Sequence, residues 1–61
     1  MQTYNMSNDT FKSVSQIVAG YVFHRPLNDT TVELKFINKR WQETFLHVFK
    51  TKNIEIKKAE D

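Results

Sequence analysis

Residues 38–53 read NKRWQETFLHVFKTKN, and the fold turns on whether they coil or extend. As a strand, Phe45, His47 and Phe49 would face one side and Thr44, Leu46 and Val48 the other, so both faces would need apolar cover. As a helix, Ile37, Trp41, Phe45, Val48 and Phe49 fall on one continuous stripe, with Leu46 at its margin. Lys39, Arg40, Glu43, Thr44, His47 and Lys50 then occupy the remaining surface. Asn38 can cap the start, Asn53 can take the left-handed position after the end, and Lys50 and Lys52 suit the negative C-terminal dipole. The run TFLHVF is rich in strand-forming residue types, but the stripe and the two caps together predict a helix.

Working outward, NIEIKKAED at 53–61 alternates. Ile54 and Ile56 point inward and Glu55 and Lys57 outward, as in a short strand at a sheet edge, where Lys57 and Lys58 deter edge-to-edge aggregation. Upstream, TVELKFI at 31–37 alternates cleanly, with Val32, Leu34 and Phe36 on one face and Glu33 and Lys35 on the other, a half-buried strand. YVFHR at 21–25 pairs with it as an antiparallel hairpin across the five-residue loop PLNDT, since Pro26 is excluded from a central strand and Asn28-Asp29 favours a turn. The pattern Thr30-Thr31-Val32-Glu33 also matches a capping box, but the alternation through Phe36 does not fit a helix face. In SNDTFKSVSQIVAG at 7–20, Phe11, Val14, Ile17 and Val18 share one helical side, Asn8 or Asp9 offers the N-cap oxygen and Gly20 a left-handed stop. Residues 1–7 show no such pattern and are expected to fray.

The expected fold is therefore α+β: a single small domain of order α-β-β-α-β, with a three-stranded antiparallel sheet and two helices on one face. Were residues 38–53 extended, the alternative would be one N-terminal helix on a four-stranded β-meander. The compact domain spans 8–59, after a flexible 1–7 and before an acidic end, Glu60 and Asp61.

Composition excludes several classes. The chain has 61 residues, 39% hydrophobic and 26% charged, too apolar for disorder and without a run of the twenty or so residues that a bilayer requires. There is no cysteine, which removes disulfides and thiolate metal sites and fits a reducing, cytoplasmic setting. The N-terminus lacks a basic cluster followed by an apolar core, so no secretory signal is read there. The triplets Asn5-Met6-Ser7, Asn8-Asp9-Thr10 and Asn28-Asp29-Thr30 match the glycosylation acceptor pattern, and the two NDT copies are read instead as turn and cap chemistry.

Catalytic and metal signatures are missing. His24 and His47 have no fixed spacing that would clamp a metal. Glu33 and Glu43 read as solvent-facing residues of a strand and a helix, Ser13 and Ser15 have no neighbouring base, and the single glycine excludes a glycine-rich phosphate loop. The expectation is a protein that is not an enzyme, with no cofactor and no metal.

Two kinds of partner compete. Eight aromatic residues in a chain this short are hard for one small core to cover, which favours self-association. Tyr4, Tyr21, Trp41 and Arg40 are residue types enriched in interface anchors, with Lys39 beside Arg40, and a terminal edge strand offers strand addition. The preferred expectation is a protein-binding adaptor or inhibitor of a larger partner, with Trp41 either in the core or at that interface. The alternative is a nucleic-acid-binding protein. Through residue 38 the charges cancel, whereas Lys39, Arg40, Lys50, Lys52, Lys57 and Lys58 stand against only Glu43 and Glu55, and Glu60 and Asp61 bring the total back to +2. Such a patch attracts phosphates, though lysines of this kind also keep an apolar segment soluble.

Overall fold

The N-terminal segment expected to fray is a central strand. In the computed structural model, which describes residues 2–59, the order is β1 (Thr3–Ser7), α1 (Asn8–Val18), β2 (Val22–Pro26), β3 (Thr31–Phe36), α2 (Lys39–Thr51) and β4 (Lys57–Lys58). The fold is a small compact α+β domain, β-α-β-β-α-β, with a four-stranded antiparallel sheet and two helices. Glu60 and Asp61, read above as an acidic end, lie outside the described residues.

The sheet order is β2-β3-β1-β4. β1 runs antiparallel to β3, with Tyr4 opposite Leu34 and Met6 opposite Val32, and antiparallel to β4, with Tyr4 opposite Lys58. β3 runs antiparallel to β2, with Val22 opposite Phe36. Hence β1 and β2 are mutually parallel with β3 between them, and β3 and β4 are parallel with β1 between them. Two interleaved split β-α-β units result, the ferredoxin-like topology. The three-stranded sheet of the sequence expectation thus gains a fourth strand, and the meander alternative falls because α2 is helical.

Strand alternation sorts the side chains. Tyr4, Met6, Val32, Leu34 and Phe36 point to the helix side and form one core with Val14, Val18, Phe45 and Phe49. Thr3, Asn5, Ser7, Thr31, Glu33 and Lys35 take the opposite, open face. Ile54 and Ile56 pack half-buried against the core, just before the two-residue β4.

Local chemistry sets the element ends. Ser7, rather than Asn8 or Asp9, caps α1: its Oγ accepts the Thr10 N–H at 3.1 Å. The second NDT is a turn as expected, with Asn28 Oδ1 accepting the backbone N–H of Thr30 at 2.8 Å and of Thr31 at 2.9 Å. Asn38 caps α2 by accepting the Trp41 N–H at 2.9 Å. Asn53 has φ 58, and α2 closes as a Schellman motif: the Ile54 N–H donates to Phe49 O at 2.8 Å and the Asn53 N–H to Lys50 O at 3.2 Å.

Two apolar residues depart from expectation. Ile17 is 47% exposed because, at about 100° per residue, it lies roughly 100° around α1 from the buried Val18. Ile37 is 41% exposed because it precedes the Asn38 cap and never joins the helical stripe.

Gly20 is the second central residue of a type II turn. Ala19 has φ −56 and ψ 129, Gly20 has φ 89, and the Tyr21 N–H closes the turn on Val18 O at 2.9 Å. A Cβ at Gly20 would meet nothing within 4 Å, so Gly20→Ala isolates the backbone term. We expect it to lower unfolding free energy by about 1–2 kcal/mol, measured by urea titration.

Candidate interaction surface

The type II turn delivers Tyr21 to the start of β2, and the Ile37 N–H donates to Tyr21 O at 3.0 Å. That bond joins the α1–β2 connection to the β3–α2 connection at one end of the domain. The Asn38 cap then fixes the first turn of α2, where Lys39 and Arg40 are exposed and Trp41 packs on Tyr21. The Tyr21 and Trp41 ring centroids are 4.4 Å apart at 47°. Phe45 backs both, 5.3 Å from Tyr21 and 5.9 Å from Trp41, and leads inward to Phe36 at 6.2 Å and Phe49 at 6.1 Å. Pairs of this kind contribute about 0.5–1.5 kcal/mol beyond area burial. Trp41 and Tyr21 are both half-buried, one flank on the core and one toward solvent. Trp41 is thus neither wholly core nor wholly surface.

The sequence-derived set Lys39, Arg40, Trp41 and Tyr21 is therefore brought together, with the exposed Ile37 beside it. Lys39 and Arg40 are the first two residues of α2, which carries no acid in its first turn. Cations at the positive end of a helix dipole are locally unfavourable. Among the described residues the one ion pair is Arg25 with Glu33, at 3.1 Å, so neither cation has a carboxylate partner there.

The six-cation set is not brought together. Lys39 and Lys50 sit at opposite ends of α2, about 16 Å apart at about 1.5 Å rise per residue. On β4, Lys58 shares the helix side with Tyr4 and Lys57 the open face with Asn5. The central strands of the open face offer Thr3, Asn5, Glu33 and Lys35, and the exposed aromatic on that face, Phe23, stands at its β2 edge opposite Lys35.

Of the residues weighed for chemistry, the two serines and His24 are engaged by neighbouring groups. Ser13 Oγ donates to Thr10 O at 2.7 Å and Ser15 Oγ to Lys12 O at 3.2 Å, both inside α1. His24 stacks on Phe11 at 4.8 Å, and His47 is exposed, as is Glu43. Among the described residues no three His, Cys, Asp or Glu side chains stand close enough to hold a metal, and no helix is long and apolar enough to cross a membrane.

Sequence reasoning missed Phe23, 69% exposed, and Leu27, 43% exposed. The signal for Phe23 was present: Val22 and Phe23 are adjacent in a strand, so only one of them can reach the core. In comparisons with known proteins, no family model, no curated protein and no solved structure matches the chain.

Proposed function

We propose that this chain is a non-enzymatic binding domain that works through protein–protein contact, as an adaptor or inhibitor of a larger partner. The observation that carries the reading is the Tyr21–Trp41 pair, 4.4 Å apart and half-open to solvent, with Ile37 exposed next to it and Lys39 and Arg40 at its rim. Half-buried aromatics ringed by charge have the composition of an interface centre and its border. The two cations at a helix start suit a partner presenting carboxylates, which would speed encounter as well as offset the dipole. The lack of cysteine supports a cytoplasmic, reducing setting.

A photoreactive benzophenone amino acid at position 37 tests this in cells. It should crosslink one protein, and Trp41→Ala should abolish the crosslink. Crosslinks to nucleic acid alone would instead favour the basic-patch alternative, for which the +4 balance of residues 39–58 is the support. Titration against DNA and RNA at two salt concentrations gives the matching readout, because phosphate contacts make affinity fall steeply with salt.

Lys39→Glu/Arg40→Glu separates binding from folding. Placing anions at the start of α2 should raise stability by about 0.5–1 kcal/mol, or about 2–8 °C in Tm, while the crosslink from position 37 weakens. Thermal melting and crosslink yield on the same variant check both directions.

A further inference from the structure

We infer that the free edge of β2 is a self-pairing surface, joining two copies of this chain into one continuous eight-stranded sheet through an antiparallel β2–β2 contact centred on Phe23. Such pairing would cover an aromatic side chain that the small core leaves in solvent, and it is independent of any partner bound at Trp41.

The hydrogen-bonding parity of β2 is fixed by its two ends. The Leu27 N–H donates inward to Thr31 O at 2.9 Å, and Tyr21 O accepts inward from the Ile37 N–H at 3.0 Å. With the unbroken register between them, the backbone groups of residues 21, 23, 25 and 27 all point to β3. Those of Val22, His24 and Pro26 point outward, to no strand among the described residues. Proline stands at a position whose N–H would face away from the sheet, where its missing donor costs no ladder bond.

Set antiparallel against a copy with Phe23 opposite Phe23, this edge is self-complementary. Val22 then stands opposite His24 of the other copy, and each such pair exchanges both backbone bonds, four in all. Pro26 falls beyond them. Phe23 occupies the closely spaced site between the two bonded pairs, where cross-strand side chains approach most closely. Two rings 69% exposed in the single chain would cover each other on the open face. On the helix side, Val22 and His24 border a groove of about 440 Å³ lined also by Phe11 and Val18, so the added strand meets apolar surface on both faces.

Charge favours a second copy as the occupant. The one charged side chain on β2 is Arg25, already 3.1 Å from Glu33 of its own chain. In this register it lies opposite Tyr21 of the copy rather than opposite another Arg25. The edge carries no lysine, the usual guard against such pairing. The other edge, β4, is two residues long, both lysine, and is closed to addition by that device.

Sedimentation equilibrium across a dilution series should show a mass approaching twice 7.3 kDa in the micromolar range expected of a small interface. Amide exchange should slow at Val22 and His24 as the dimer forms. Phe23→Lys should give a folded monomer with both amides unprotected, because like charges would oppose one another on the two-fold axis. Phe23→Glu should do the same, and mixing the two variants should restore a dimer, which damage to the fold could not do. A wild-type chain that stays monomeric at every concentration overturns the proposal. So does a dimer that survives Phe23→Lys, or one in which the Val22 and His24 amides exchange freely.

Discussion

A chain lacking residues 1–7 should show no cooperative thermal transition. Among the described residues β1 is the sole strand partner of β4 and the inner partner of β3, so its loss releases one strand entirely and leaves another with an open edge. It removes Tyr4 and Met6, 8% and 3% exposed, from the core, each worth about 1.5–3 kcal/mol when fully buried. It also removes the Ser7 cap of α1, worth about 1 kcal/mol. A domain of this length has only about 3–9 kcal/mol of stability in total. Circular dichroism against temperature reads the outcome. Met6→Asp should reproduce it, whereas Thr3→Ser, on the open face of the same strand, should leave the melt nearly unchanged. A truncated chain that still melts cooperatively would show that β1 is dispensable.

Phe36→Ala should leave the chain largely unfolded in water, while Phe23→Ala, on the neighbouring strand, should not. Phe36 is 0% exposed. It meets Tyr4 edge-on at 5.9 Å and Phe45 at 6.2 Å, linking β1, β3 and α2. Truncating such a residue costs about 3–5 kcal/mol, the lost transfer energy plus the cavity left behind. That is comparable to the whole stability of the domain. Phe23→Ala touches a ring that is mostly in solvent and should shift the unfolding free energy of the dilute monomer by no more than about 0.5 kcal/mol. Urea titration of both variants at low protein concentration compares the two. Equal effects would contradict the assignment of these side chains to opposite faces.

The parts legible in the sequence are those whose signals are local. The stripe Trp41–Phe45–Phe49 with caps at Asn38 and Asn53 marks α2, the alternation Val32–Leu34–Phe36 marks β3, and Asn28 marks the turn before it. β1 escaped because its period is only two apolar residues long, Tyr4 and Met6 among Thr3, Asn5 and Ser7, near a terminus where fraying is the usual expectation. What makes it a strand is pairing with residues some thirty positions away, and no local feature of TYNMS signals that. The candidate surface was half legible. Tyr21 and Trp41 stand out by residue type, but their contact depends on the type II turn at Gly20 and the Ile37 bond across the ladder. The spread of the basic set was not legible: a helix as long as α2 holds Lys39 and Lys50 apart, and β4 turns Lys57 and Lys58 to opposite sides.

β4 lies against β1, and the Ala59 N–H donates to Thr3 O at 2.9 Å, so the last described strand returns to the first. A peptide linker of a few residues running from Ala59 back to Thr3 would make a ring of the described domain without bending any element. Such a ring would restrict the unfolded chain far more than the folded one and should raise the melting temperature.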